Sequence, residues 1–405
     1  MPADRVTTRD LRRTHRGALL RRLLLGGPVN RVVLGELTGL SSGTITNVVA
    51  ELIEEGLVVA TGMEQSDGGR PRVQLEINPD FGMVVGVAVG ETGIRAERFD
   101  LAMKKVGRPV IRTQPLTNDP QARIGEIIEA VCRIRADLGP GQRLLGIGVA
   151  VPGQVTQAER EEVVHAPSIG WKGVPFGGPL AAALDAPVFV DNGANTLGQA
   201  EMWFGAGRGS RHVVVVLLGT GVGAAIFTDG GLYRGASSSA GEWGHTCLIP
   251  GGRACRCGAR GCLEAYVGAE SLLEQWAASD PQVDIPDDHD AEEWIARLVA
   301  TAPHQASARR ILDQTADYLG IAAASLVNLL NPERIVFGGP VGTTVVPSLL
   351  PRIRAVIDSQ ALDHPARDVT VLVGQVSNDA VTLGAASLVI ADLVASGGKP
   401  RVLPE

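Results

Sequence analysis

Apolar residues recur at helical spacing through the first fifty-odd positions of the chain and at strand spacing after them. Residues 8–26 read as a helix, with Leu11, Ala18, Leu19 and Leu23 as its apolar positions, arginines divided between its faces and Gly26-Gly27-Pro28 as its stop. A second helix spans about 31–39. Gly39-Leu40-Ser41 then forms a turn that Ser41 or Ser42 can cap, and Ile45, Val48, Val49, Leu52 and Ile53 supply the i, i+3/4, i+7 stripe of a third helix. Two strand patterns follow, LVVATG and RVQLEI, the second alternating at Val73, Leu75 and Ile77, with the polar loop MEQSDGGRPR between them.

Beyond Asn78-Pro79 the pattern is of a different kind. MVVGVAVGETGIRAERFDL predicts a hairpin of buried strands, and 121–137 a helix. LLGIGVAVPGQV, PVFVDNGAN and HVVVVLLGTGVGAAIFTDGGLYRG each run a strand into a Gly, Pro or Asn turn. Strands alternating with helices make this an α/β body, in which ligands sit at strand ends. Gly219-Thr220-Gly221-Val222-Gly223-Ala224 fits a dinucleotide fingerprint formally, but a strand pattern follows it where that fold needs a helix. A glycine turn between two strands still suits phosphate binding, as in actin-like and hexokinase-like ATPases. Residues 271–305, including DPQVDIPDDHD, carry no motif and read as a surface excursion before a helix at 307–330.

Composition narrows the class. At 405 residues the chain is long enough for two or three domains, and 45% hydrophobic with 20% charged residues excludes a mainly disordered protein. No stretch reaches the roughly 18 apolar residues of a membrane helix and no signal core stands at the N-terminus, which points to a cytoplasmic protein without membrane contact. The net charge of −7 hides an asymmetry, because residues 1–35 hold eight arginines against Asp4 and Asp10. A basic segment on an acidic body points to nucleic acid. Ser42, Thr44, Thr46, Asn47 and Glu51 face outward on the third helix, where small polar groups approach base edges and phosphates. Arg70 and Arg72 at the hairpin tip suit a narrow minor groove. The reading is a winged helix-turn-helix, with a dimerisation or packing bundle as its alternative.

The most specific local signal is GEWGHTCLIPGGRACRCGARGCLE. His245, Cys255, Cys257 and Cys262 offer one imidazole and three thiols at the spacing of a closed tetrahedral zinc site, which is structural. The other two cysteines, Cys132 and Cys247, read as packing residues. Glu242 and Glu264 flank the loop as candidate acceptors for the hydroxyls of a polyol.

Together these segments resemble the ROK family (repressors, open reading frames, kinases), in particular its members with an N-terminal winged helix. The resemblance runs from the third helix and GGRPR through LGTGVGAAIFTDGGLYRGASSSAGEWGH and CRCGARGCLE to IVFGGPV at 335–341. It implies a two-lobed actin-like, hexokinase-like (ribonuclease H-like) fold, with residues 1–79 as the DNA-binding domain and 80–405 as the sugar-binding domain. Lobe one is expected at about 80–195 plus a C-terminal helix at about 380–405, and lobe two at about 196–379 with the zinc loop 245–264. Sugar contacts would be Gly153, Asn192, Glu242, His245 and Glu264, and His245 would serve zinc and sugar at once.

Three departures from the family pattern fall on phosphoryl transfer. The kinases' DxGGT phosphate loop stands here as Ala88-Val89-Gly90-Glu91-Thr92, and the base of their E-N-D-A-N segment is Gly193. Glu91 would also repel phosphate, so ATP is not expected as a ligand. The expectation is a non-enzymatic regulator, a homodimer or tetramer on double-stranded operator DNA released by glucose, xylose or N-acetylglucosamine. The alternatives are a ROK sugar kinase carrying a DNA-binding domain and a zinc-stabilised scaffold for another protein.

Overall fold

The structure, a computed structural model, describes residues 7–64, 72–91, 93–112, 118–139, 141–158, 161–286, 289–376 and 380–403. The chain begins with α1 (Thr8–Gly26), α2 (Arg31–Thr38) and α3 (Ser42–Glu54), then the antiparallel pair β1 (Val58–Glu64) and β2 (Arg72–Ile77). Each helix start is fixed by a side chain. Thr7 and Asp10 form a reciprocal capping box, Asn30 accepts from Val32 and Val33, and Ser41 accepts from Thr44. Val29 exchanges two backbone hydrogen bonds with Leu75 and so adds a third short edge to the hairpin. Leu19, Leu23, Leu34, Ile45, Val49, Leu52 and Leu75 are fully or almost fully buried between these elements. Leu11 and Ile53, expected on the inward faces, are exposed, because the stripe that packs is narrower than the apolar pattern at each helix end.

Two five-stranded sheets follow with the same plan. The first takes β3 (Met83–Val89), β4 (Ile94–Asp100) and β5 (Lys105–Arg112) as an antiparallel meander, then β6 (Leu144–Val151) and β10 (Val188–Asn192) parallel to β3. Helix α4 (Pro120–Ala136) leads into β6. A three-stranded sheet of β7 (Gln154–Ala158), β8 (Glu161–Ala166) and β9 (Trp171–Pro175), with α5 (Gly177–Leu184), separates β6 from β10. Helix α6 (Gly193–Phe204) leads to the second sheet. There β11 (Val213–Leu218), β12 (Val222–Thr228) and β13 (Gly231–Leu232) form the meander.

Between β13 and the remaining strands lie α7 (Glu264–Val267), α8 (Ala269–Ser279), α9 (Ala291–Thr301) and α10 (Ala306–Leu330). Then β14 (Arg334–Gly338), α11 (Gly339–Gln360), α12 (Asp363–Asp368) and β15 (Thr370–Val373) complete the second sheet, with β14 and β15 parallel to β11. The chain closes with α13 (Ala380–Ala395). The expected surface excursion at 271–305 is instead two helices and their connection. Leu272, Leu273, Trp276, Ile295 and Leu298 are buried in the second lobe's core, so the acidic, proline-rich connection masked amphipathic helices on either side.

Helix α13 packs on β3, β6, β10 and α6, and α1 packs on α13. Its backbone comes so close to the sheet that a Cβ on Gly148 of β6 would stand 1.7 Å from the Ala385 carbonyl oxygen. The helical unit is therefore joined to the first lobe by packing. Leu19, Leu20, Leu23 and Leu57 share one continuous apolar cluster with Val84, Phe99, Leu145, Trp203, Val389 and Leu393. Arg16, almost fully buried, donates to the Gly397 carbonyl at 2.6 Å and pairs with Glu51 at 3.1 Å and with Glu55. Arg208, after α6, donates to the Leu25 carbonyl at 2.7 Å.

Gly148→Ala is expected to cost about 3 kcal/mol, the upper range for overpacking a close contact. Urea unfolding followed by tryptophan fluorescence would show it as a lowered midpoint, and an unchanged midpoint would mean that α13 does not pack this tightly. Arg16→Met is expected to lose about 2 kcal/mol in the same measurement, because it strands a buried carbonyl and two carboxylates.

Candidate functional site

The two sheets face each other across a cavity of about 650 Å³. Its floor is made by strand ends and the turns that leave them, as the sequence pattern predicts. Gly90 and Glu91 come from the β3–β4 turn, Pro152, Gly153 and Gln154 from the β6–β7 turn, and Asn192 and Gly193 from the start of α6. The second lobe supplies Gly219–Gly221, Glu242, His245, Glu264 and the Pro340 end of α11. The glycine turn of LGTGVG and the proline of FGGP thus line the cavity.

All five residues implied to contact a sugar, Gly153, Asn192, Glu242, His245 and Glu264, lie on this lining. Asn192 caps α6, its Oδ1 accepting from the Ala194 N–H at 2.7 Å while its Nδ2 donates to the Gly153 carbonyl. One N–H and one lone pair remain for a ligand. Gly153 has φ +78°, and a Cβ there would stand 2.2 Å from the His165 carbonyl oxygen, so the turn accepts only glycine. Glu264 is buried and accepts the Val222 N–H at 3.0 Å through Oε2. Burial, and then repulsion from Glu264, push the Glu242 carboxyl above its ordinary range, against the pull of His245.

His245, Cys255, Cys257 and Cys262 converge, their donor atoms all within 4.8 Å of one another. The Cys255 Sγ–His245 Nδ1 and Cys257 Sγ–Cys262 Sγ separations are both 3.7 Å. That matches the edge of a tetrahedron built on metal–sulfur bonds of about 2.3 Å. Three thiols and one imidazole are a donor set for a borderline-soft cation, so the residues fit a metal ion. In this arrangement His245 turns Nδ1 toward the cluster while the residue also lines the cavity. Burial pushes the Cys262 thiol up to about 12, a cost that a bound cation would reverse. Cys132 and Cys247, read as packing residues, are exposed. Cys132 falls on the outer face of α4, and Cys247 is held by a backbone bridge to Cys262.

Polar contacts bridge the lobes around the cavity, and sequence reasoning missed them. Asp191 at the end of β10 accepts from Arg234 of the second lobe at 2.5 Å, and its other oxygen accepts from the Asn192 N–H and from Asn195 Nδ2, each at 2.8 Å. Arg256, between two of the cysteines, pairs with Glu91 at 2.6 Å and donates to the Thr220 carbonyl at 3.2 Å. Ser239 donates to Gln154 at 3.3 Å. His165 also lines the cavity. The only signal in sequence was their nearness to motif glycines.

At the other end of the molecule, Ser42, Thr46 and Asn47 are exposed on α3, as expected. Thr44 is half-buried, its hydroxyl 2.9 Å from that of Ser41 in the cap. Glu51 faces α1 instead of solvent, paired with Arg12 at 2.6 Å and with Arg16. Arg72 is exposed at the start of β2, and Arg70 lies outside the described residues.

The chain belongs to the ROK family, whose model matches residues 84–392. A xylose repressor of Caldicellulosiruptor bescii is 29% identical over 399 residues, covering 95% of this chain and 97% of its own. A glucokinase of Halalkalibacterium halodurans is 35% identical over 253 residues, covering 61% of this chain and 76% of its own. Among solved structures, a ROK family transcriptional regulator, a homologue of the Escherichia coli Mlc protein, superposes with a TM-score of 0.76 at 24% identity, over 96% of this chain and 98% of that one. The repressor and the regulator extend over the N-terminal unit; the glucokinase match is shorter.

Metal analysis of the purified protein is expected to find one zinc per chain. Cys262→Ser is expected to lose it and to lower the thermal midpoint. A metal-free wild-type protein of unchanged stability would remove the cation from the account.

Proposed function

We propose that the protein is a sugar-responsive DNA-binding transcriptional repressor. Residues 1–79 act as a winged helix-turn-helix, with Ser42, Thr44, Thr46, Asn47, Arg70 and Arg72 toward DNA. Residues 80–405 act as the sugar-binding domain, lobe one being about 80–195 with 380–405 and lobe two about 196–379. The observation that carries the reading is the apolar cluster that joins α1 and α3 to α13 and to the far end of α6, the helix that Asn192 starts inside the cavity. A sugar that changes how the lobes meet reaches the DNA-binding unit through packed helices. It needs only a difference in affinity between two arrangements, and a hundredfold preference supplies about 2.7 kcal/mol.

In this reading Glu242 and Glu264 accept hydrogen bonds from sugar hydroxyls, Asn192 donates, and Gly153 leaves room. Zinc on His245, Cys255, Cys257 and Cys262 supplies a fixed imidazole tautomer and closes the loop. Catalysis is absent because Gly193 has no side chain to act as base and Ala88 no carboxylate for magnesium. The carboxylate two positions before Gly193, Asp191, is already held by Arg234, Asn195 and the Asn192 N–H. The protein is expected to act in the cytoplasm as a homodimer or tetramer on a pseudo-palindromic operator. Xylose, glucose and N-acetylglucosamine are the effectors to try first.

The test is fluorescence anisotropy on DNA from upstream of the protein's own gene at fixed salt, with and without these sugars. Binding released by one sugar is expected. No binding under any condition, or sugar-dependent ADP release at kinase rates of roughly 1–100 per second, would overturn the reading. Arg72→Ala is expected to weaken DNA binding at least fivefold and leave sugar affinity unchanged, and equal DNA affinity would take the hairpin out of the interface.

A further inference from the structure

A cation in a cleft draws a phosphate group only as far as its charge is not already compensated. Among the described residues the cavity lining carries three arginines, Arg95, Arg112 and Arg256, and each faces a carboxylate. Arg95 pairs with Glu97 at 3.0 Å, Arg112 with Glu129, and Arg256 with Glu91 at 2.6 Å. Glu97, shared with Lys105, and Glu129, shared with Arg133, belong to the first lobe alone. Glu91 differs, because it lines the cavity itself and reaches from the β3–β4 turn of one lobe to a guanidinium of the other. Arg123, fully buried, donates to the carbonyls of Gly90 at 3.0 Å and Glu91 at 2.9 Å, so the turn that carries the carboxylate is fixed from beneath.

Arg256 also stands 3.7 Å from Glu264 Oε1, beside the carboxylate proposed to hold the sugar. An anionic substituent that reached this guanidinium would meet the Glu91 carboxylate already on it and the Glu264 carboxylate beside it. We infer that Glu91 is the specificity determinant of the cleft: it is the chain's own anion seated on Arg256, and it restricts the cleft to uncharged sugars by excluding phosphorylated ones. The sugar part rests on the function proposed above; the exclusion of phosphate is independent of it.

The experiment is calorimetry on the metal-loaded full chain with xylose, glucose, N-acetylglucosamine, glucose 6-phosphate and pyrophosphate. The wild type is expected to bind a neutral sugar and neither phosphate compound. Glu91→Gln keeps the size and removes the charge, and is expected to bind pyrophosphate at least tenfold more tightly than the wild type, a gain larger than any change in its affinity for the neutral sugar. Adding Arg256→Gln to it should abolish the gain, which assigns the gain to that guanidinium. Wild-type binding of glucose 6-phosphate as tight as that of glucose, or no gain for pyrophosphate in Glu91→Gln, would overturn the inference. A pyrophosphate gain with no neutral sugar bound by any variant would leave the exclusion of phosphate standing and remove the sugar reading.

Discussion

Helix α13 lies where the first sheet, α6 and α1 meet, and its close approach to all of them is the constraint on which the remaining architecture depends. Gly148 lets it touch the sheet, and Gly17 of α1 lets it touch the helical unit, where a Cβ would stand 2.6 Å from the Val394 carbonyl oxygen. Contacts this short replace side-chain layers with backbone, so they leave little room for sliding. The N-terminal unit therefore does not hang on a linker. It shares its apolar core with the lobe that carries half of the cleft.

The cleft is closed by pairs that belong to neither lobe alone. Asp191–Arg234, Glu91–Arg256 and Gln154–Ser239 each cross from the first lobe to the second. Ion pairs of this kind, with the guanidinium partly exposed, add modest stability singly, but they bear on the angle at which the two sheets meet. A ligand that favours another angle works against these pairs and against the packing of α6 on α13. In the proposed function a change of lobe angle would reach the helical unit through α6, which begins at the cleft and ends against the α1 cluster. Coupling then follows from rigid elements sharing an interface.

Much of this was legible in sequence. Period located the three N-terminal helices, the hairpin and the paired strands at 83–100 and 213–228, and ligand spacing the cysteine–histidine cluster, because each signal is local. Gly193, Ala88 and Glu91 were visible as departures from a family pattern. The interlobe pairs were not, since Glu91 and Arg256 stand 165 positions apart and Asp191 and Arg234 43 apart. Nor were α8 and α9, whose buried Leu272, Trp276, Ile295 and Leu298 are split by an acidic segment that hides the helical period. Glu51 faced outward by periodicity and inward in fact, drawn to Arg12 and Arg16 on a helix 35 to 39 positions earlier.

The central claim is that cleft and helical unit share one equilibrium, and linkage tests it directly. If a sugar weakens operator binding by some factor, the operator must weaken sugar binding by the same factor. The measurement is the sugar dissociation constant by calorimetry, alone and with saturating operator DNA, under the salt used for the DNA titration. The account predicts at least a tenfold loss of sugar affinity in the presence of operator. An identical sugar affinity with and without DNA would contradict it.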